Sequence, residues 1–163
     1  MTRLLPLTAI AFLAACVSAD AAPSEADAEL AMATIDQSLP SVVVYKTETC
    51  GCCNGWVEHM RAAGFQVDAR NVRDIMSVKV EAGVPGPMVT CHTAMIDGYV
   101  VEGHVPAQYI KQMLAEHPDI AGIGVPGMPQ GSPGMEGPSP QPYQVLAFDH
   151  DGNVSVYAEV DPR

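Results

Sequence analysis

The spacing of apolar and polar residues predicts that strands and helices alternate along the first half of the folded chain. The apolar run at 42–47 is typical of a buried strand, and 65–72 alternates apolar with polar side chains, which is the period of a strand. Between them, 53–63 has apolar residues at helical spacing. Residues 74–82 predict a second helix, with the carboxylate of Asp74 as its N-cap.

The next part of the pattern predicts a hairpin followed by a helix. Residues 88–96 and 99–105 are apolar stretches on either side of Asp97-Gly98, a pair that strongly favours a tight turn between antiparallel strands. A helix is predicted over 106–117, because Pro106 is well suited to a first helical position and Pro118 cannot continue the helix.

Glycine and proline dominate residues 121–142, and the pattern there predicts a long irregular loop, which in a compact domain is usually functional or disordered. Two further strands are predicted at 143–148 and 154–159. The order strand, helix, strand, helix, hairpin, helix resembles that of a thioredoxin-like domain. We therefore predict an α/β fold over residues 39–163: a thioredoxin-like three-layer domain with an extra C-terminal β-hairpin.

The N-terminus has the pattern of an export signal. A short basic start precedes an apolar stretch at 4–15 that is too short to span a bilayer and ends in Leu13-Ala14-Ala15-Cys16, which resembles the lipobox of bacterial lipoproteins. We assign residues 1–16 to a signal peptide with a lipobox, and 17–38 to a flexible acidic tether. The protein is then exported to the periplasm and anchored by a lipid on Cys16; the alternative is ordinary cleavage after Val17-Ser18-Ala19.

The chain is acidic, with a formal net charge of −11. This charge argues against nucleic acid and against anionic lipid surfaces as partners. It leaves lipid on Cys16 as the expected contact with the membrane.

Three cysteines lie within four residues, Cys50-Gly51-Cys52-Cys53, where the first strand passes into the first helix. Backbone N–H groups and the helix dipole favour thiolates at such a position. A fourth cysteine, Cys91, follows the proline-rich connection that in a thioredoxin-like fold packs beside the start of this helix. The question is whether these thiols perform redox chemistry or bind a metal.

The spacing of Cys50 and Cys53 is that of a thiol–disulfide oxidoreductase. Such an enzyme has no evident need for Cys52, which would compete for the mixed disulfide. Crowded thiolates bridge several metal ions more readily than they hold one, and Cu(I) accepts soft sulfur ligands at low coordination number. We therefore favour a copper-binding protein, keep the oxidoreductase as the alternative, and retain two further possibilities: zinc as the metal, and two purely structural disulfides.

Several separated motifs resemble the CopG-like family of exported CxCC proteins, which is associated with bacterial copper resistance. The resemblance covers roughly residues 40–160 and implies a thioredoxin-like fold and a polynuclear Cu(I)–thiolate site, with Cys50, Cys52, Cys53 and Cys91 as the matching ligands. It also implies redox activity toward copper, a role in copper resistance, and other periplasmic copper-resistance proteins as partners. The motifs are Cys50-Gly51-Cys52-Cys53, Val84-Pro85, Met88, Cys91-His92-Thr93-Ala94, Gly98-Tyr99, Glu102-Gly103-His104-Val105-Pro106 and Gly131-Ser132-Pro133-Gly134-Met135.

Other side chains are candidates for a supporting role. Met88, Met128 and Met135 have thioethers that suit Cu(I), and the loop at 121–142 is a candidate cover for the site. His104 lies at a strand end and is a candidate to contact the site or orient its ligands. Cys91 and His92 lie on the predicted strand at 88–96, where neighbouring side chains alternate between faces, so His92 is expected to point away from the site if Cys91 points at it.

Overall fold

A computed structural model describes residues 35–163 of the chain. The predicted signal peptide with its lipobox, and the predicted tether up to residue 34, lie outside the described residues. No helix within residues 35–163 is long and apolar enough to cross a bilayer.

Within residues 35–163, seven strands and three α-helices follow one another in the order that the sequence pattern predicts, with one additional strand. The strands are β1 Val42–Lys46, β2 Val67–Asn71, β3 Thr93–Ile96, β4 Tyr99–Gly103, β5 Gly122–Val125, β6 Tyr143–Phe148 and β7 Val154–Val160; the helices are α1 Gly51–Ala62, α2 Ile75–Glu81 and α3 Ala107–Glu116. A short 3₁₀ turn at Gly86–Met88 precedes β3.

All seven strands form one sheet in the order β2-β1-β3-β4-β5-β6-β7. The pairs β1–β2 and β4–β5 are parallel and the other neighbouring pairs are antiparallel. The predicted α/β class is confirmed. The C-terminal hairpin β6–β7 is present, and it extends the main sheet because β5 connects it to β4.

Helices cover both faces of the sheet. Trp56 and Met60 of α1 and Ile110 of α3 join one buried cluster with inward side chains of the sheet. On β4, Val101 belongs to that cluster while Val100 packs on the opposite face with Met88 and Phe148, as the alternation of a strand requires. The domain therefore has a layer formed by α1 and α3, the sheet, and a thinner layer on the opposite face formed by α2 and the 3₁₀ turn, since Lys79 of α2 contacts Glu102, which lies on the same face of β4 as Val100.

The hairpin turn and the cap of α2 form as predicted. Asp97 and Gly98 have φ values of 49° and 84°, so both central residues are left-handed, as the tight turn between twisted strands needs. The side chain of Asp74 accepts hydrogen bonds from the backbone N–H groups of Met76 and Ser77. Both features depend on short-range chemistry, which the sequence displays directly.

Two of the predicted boundaries are wrong. The predicted strand at 88–96 begins only at Thr93, because Pro85 and Pro87 favour the 3₁₀ turn, in which the N–H of Met88 donates to the carbonyl of Pro85 at 2.8 Å. The predicted loop at 121–142 begins with β5, whose two glycines lower its strand propensity. Glycine is needed there because a Cβ at Gly122 would collide with the Val100 carbonyl and the Phe148 ring.

Candidate metal centre

The first turn of α1 holds the three clustered cysteines. Cys50 is the N-cap residue, with extended backbone, and its carbonyl accepts the N–H of Asn54 at 3.3 Å. Cys53 is fully buried, whereas Cys50 and Cys52 are half-buried. Cys50 and Cys53 form a disulfide, and Cys52 is a free thiol. The turn thus presents an oxidised pair and a third sulfur at one end of the helix.

Cys91 lies beside this turn. It belongs to the irregular segment between the 3₁₀ turn and β3, and it is a free, half-buried thiol. The sulfurs of Cys50, Cys52, Cys53 and Cys91 all lie within 4.8 Å of one another, and those of Cys50 and Cys52 are 3.6 Å apart. The predicted approach of the distant fourth thiol to the other three is confirmed.

Two buried histidines extend the cluster from Cys91. The Nε2 atom of His104 is 3.0 Å from the Cys91 sulfur and the Nδ1 atom of His92 is 3.5 Å from it. Cys91, His92 and His104 place a sulfur and two ring nitrogens within 4.8 Å of one another. A mixed set of thiolate and imidazole donors suits copper and zinc.

The expectation that His92 points away from the site is wrong. It assumed strand alternation, but β3 begins after His92, so the rule does not apply to this residue. Its ring is fully buried between those of Trp56 and His104, at centroid distances of 4.6 Å and 5.0 Å. Its Nε2 atom has no hydrogen-bond partner among the described residues.

The glycine- and proline-rich loop covers the site. His104 uses Nδ1 to bond the carbonyl of Pro133 at 2.8 Å, which leaves Nε2 facing Cys91. Gly134 lies directly on α1: a Cβ at Gly134 would be 2.5 Å from the Cys52 carbonyl oxygen and 2.7 Å from the Trp56 nitrogen. Glycine at position 134 is therefore what permits the loop to contact the cysteine-bearing turn.

The three methionines have different surroundings. Met88 is fully buried and packs with Val100 and Phe148, so it fills the core. Met128 is 41% exposed and Met135 is half-buried, both in the covering loop. The loop residues therefore keep their thioethers near the surface, whereas Met88 does not.

Burial controls the protonation of this site. Burial, together with the neighbouring Cys52, raises the pKa of the Cys91 thiol to about 12, so in the metal-free protein this sulfur carries its proton at neutral pH. Burial also lowers the pKa of His104 and places the pKa of His92 well below its ordinary value. Both imidazoles are neutral, which is the form that binds metals.

Comparison with known proteins agrees with this geometry. Residues 88–135, which include Cys91, both histidines and part of the covering loop, match a family described as "Protein of unknown function, DUF411". No curated protein matches the chain. A solved structure described as "Copper resistance protein copG- Form 2" is 45% identical, with a TM-score of 0.71, over 76% of this chain and 99% of that chain. A second, "Copper resistance protein copG- Form 1", is 46% identical, with a TM-score of 0.70, over 75% of this chain and 98% of that chain.

The chain belongs to the CopG family. The resemblance drawn from the separated sequence motifs is thereby confirmed. The relatives are described as copper resistance proteins, and this CopG-family chain has a cysteine cluster with the donor atoms and proximity that a metal ion needs.

Sequence reasoning found the four cysteines and missed the position of His92. The signal was present, because His92 follows Cys91 directly and the proline-rich connection before it argues against a regular strand. His104 was predicted as a candidate, and the structure places it in contact with Cys91.

Proposed function

We propose that this protein is an exported copper-binding protein that holds more than one Cu(I) ion in a thiolate site made by Cys50, Cys52, Cys53 and Cys91. The observation that supports this most strongly is the approach of all four sulfurs to within 4.8 Å of one another. Thiolates at such spacing can bridge soft ions. The relatives' description as copper resistance proteins supports a role in copper resistance.

The disulfide gives the proposal a redox step. Opening the Cys50–Cys53 bond takes two electrons, and two Cu(I) ions supply them as each becomes Cu(II), leaving two thiolates. In the reverse direction, the two thiolates reduce two Cu(II) ions to Cu(I) and the disulfide forms again. Redox activity toward copper therefore needs no reactant beyond copper and this cysteine pair.

Anaerobic titration with Cu(I) tests the binding site. The fully reduced protein should bind more than one copper ion per chain, and Cys91→Ser should reduce both the number bound and the affinity. Cys16→Ser is the matched control, because it also replaces a cysteine by serine but at a position outside the proposed ligand set. Binding of no copper, or equal losses in both variants, would contradict the proposal.

One observation favours a second candidate, a thiol–disulfide oxidoreductase. Cys50 is half-buried and Cys53 fully buried within one disulfide, which suits an accessible attacking thiol and a shielded resolving thiol. Metal-free protein should then reduce insulin disulfides, with Cys52→Ser as active as wild type and Cys53→Ser inactive. Absence of insulin reduction by metal-free protein would eliminate this candidate.

The remaining parts of the proposal concern location and fold. We infer a signal peptide at 1–16, a tether at 17–38 and a periplasmic domain anchored by lipid on Cys16. The order and pairing of β1 to β4, with α1 and α3 on one face, support a thioredoxin-like core over part of 39–163. Metabolic labelling with palmitate tests the anchor: Cys16→Ser should abolish incorporation, and equal labelling would refute it.

A further inference from the structure

A buried ion pair lies behind the segment that carries Cys91. The Nζ atom of Lys79, on α2, is 2.6 Å from Oε1 of Glu102, on β4. Their side chains are only 1% and 0% exposed. Buried pairs of this kind contribute little net stability, because removing both charges from water costs about as much as their attraction returns. Net stability therefore does not explain why this ion pair is buried behind Cys91.

The hydrogen bonds of Glu102 converge on both flanks of Cys91. On one side its Oε1 atom accepts the backbone N–H of Thr90 at 2.6 Å and the Thr90 hydroxyl at 3.0 Å. On the other side its Oε2 atom accepts the Thr93 hydroxyl at 2.7 Å. Lys79 completes the arrangement by donating to Thr93 Oγ1 at 2.9 Å. The Cys91-His92 dipeptide is thus bracketed by contacts to a single carboxylate.

The segment that carries Cys91 needs these side-chain hydrogen bonds because it lacks regular secondary structure. Residues 89–92 belong to neither a helix nor a strand, so ladder hydrogen bonds do not fix the backbone at Cys91. The N–H of Thr90 is bonded to the carboxylate, and the His92 carbonyl accepts the N–H of Gly103 at 3.1 Å. Glu102 and Gly103 together attach the segment to the end of β4.

We propose that Glu102 and Lys79 are positioning residues that hold Cys91 against the cysteine-bearing turn of α1. Glu102 holds the backbone N–H of Thr90 on one side of Cys91 and the hydroxyl of Thr93 on the other, and Lys79 supplies the positive charge that pairs with the buried carboxylate. The role in copper binding rests on the proposed function, whereas the geometric role of the pair does not.

The experiment compares two bracket variants, which weaken the hydrogen bonds of Glu102 to Thr90 and Thr93, with a control that loses a hydroxyl hydrogen bond elsewhere. Glu102→Gln removes the charge at nearly constant shape, and the double variant Thr90→Val, Thr93→Val removes both hydroxyl bonds while keeping side-chain volume. Tyr99→Phe is the control, because Tyr99 also lies on β4 and donates one hydroxyl bond, to the Pro118 carbonyl at 2.9 Å. Every protein carries Cys16→Ser, so that Cys52 and Cys91 are its free thiols when the Cys50–Cys53 disulfide is intact.

The first readout needs no metal. Dibromobimane cross-links two thiols only when they are close, and the rate of cross-linking between Cys52 and Cys91 measures how well Cys91 is held. We expect this rate to fall about tenfold in both bracket variants and to be unchanged in Tyr99→Phe. Should Glu102→Gln fail to fold, the threonine variant carries the test. If Glu102→Gln and the threonine double variant are less stable to heat yet cross-link at the wild-type rate, the proposal is overturned. Lys79 and Glu102 would then stabilise the fold without positioning Cys91.

The second readout is Cu(I) affinity in competition with a chelator. Loss of residues that orient metal ligands typically costs roughly 10- to 100-fold in affinity, and we expect a loss in this range for both bracket variants. Wild-type affinity in variants whose cross-linking is slowed would overturn the link between position and copper. Failure of the wild-type protein to bind copper would instead refute the proposed function, and the cross-linking result would still decide the geometric role.

Discussion

Replacing Gly134 by alanine should detach the covering loop from α1. Gly134 has a φ of 80°, which alanine adopts only at a cost of about 1–2 kcal/mol. Its Cβ would also lie 2.5 Å from the Cys52 carbonyl oxygen and 2.7 Å from the Trp56 backbone nitrogen. These are backbone atoms of a helix, so the loop rather than the helix must move.

A control for the backbone cost exists in the same loop. Gly127 has the same φ of 80°, but nothing lies within 4 Å of a Cβ built there. Gly127→Ala therefore has only the left-handed penalty, whereas Gly134→Ala adds an overpacking cost of about 1–3 kcal/mol. The difference between the two variants isolates the contact with α1 and corresponds to roughly a 5- to 150-fold change in the open population of the loop.

Amide hydrogen exchange measures that population. Within the loop, the N–H of Gly131 donates to the Met135 carbonyl at 2.9 Å and the N–H of Met135 to the Ser132 carbonyl at 2.8 Å. Detachment from α1 removes the packing that supports this turn, so we expect both amides to exchange faster when the loop opens. We expect their exchange to be faster in Gly134→Ala than in Gly127→Ala by the factor above. Equal exchange in the two variants would show that the Gly134 contact does not hold the loop closed.

Three further changes have definite expected results. Trp56→Phe removes the 2.8 Å bond from Nε1 to the Val105 carbonyl and should lower the free energy of unfolding by about 1–3 kcal/mol; an unchanged urea midpoint would contradict this. Since burial keeps the pKa of His92 well below 6.5 in the fold, the unfolded chain takes up a proton first as the pH falls below 6.5, and stability should decrease. His92→Gln should flatten this pH dependence of the melting temperature, and an identical slope would refute the assignment to His92. Asp74→Ala removes the cap of α2 and should cost about 0.5–2 kcal/mol, whereas Asp68→Ala, which breaks only an exposed ion pair, should cost at most about 1 kcal/mol; similar losses in the two would count against the cap.

Local chemistry made much of this structure predictable. The turn at Asp97-Gly98, the cap at Asp74 and the strand at Tyr143–Phe148 all depend on residues close together in sequence. The order of the elements predicted that Cys91 lies close to the clustered cysteines, because that order places the proline-rich connection beside the start of α1.

Long-range packing explains what the sequence did not reveal. The strand β5 carries Gly122 because its neighbours leave no room for a side chain, and a glycine alone is a signal for a loop. The direction of the His92 side chain depends on where β3 begins. Just before that point the N–H of Thr90 donates to the carboxylate of Glu102 and not to a neighbouring strand, and Glu102 is remote in sequence. The contact of the loop with α1 depends on Gly134 meeting Gly55, which no periodicity displays.

The two strands that flank the covering loop are direct neighbours, since Gly124 of β5 pairs with Leu146 of β6. Adjacent strands are about 4.8 Å apart, so the two ends of residues 126–142 lie close together. Doubling the length of such a closed segment costs only about 0.6 kcal/mol in chain entropy. The cover of this site can therefore be lengthened or shortened at small cost in chain entropy while the sheet beneath stays unchanged, provided that the glycine in contact with α1 is kept.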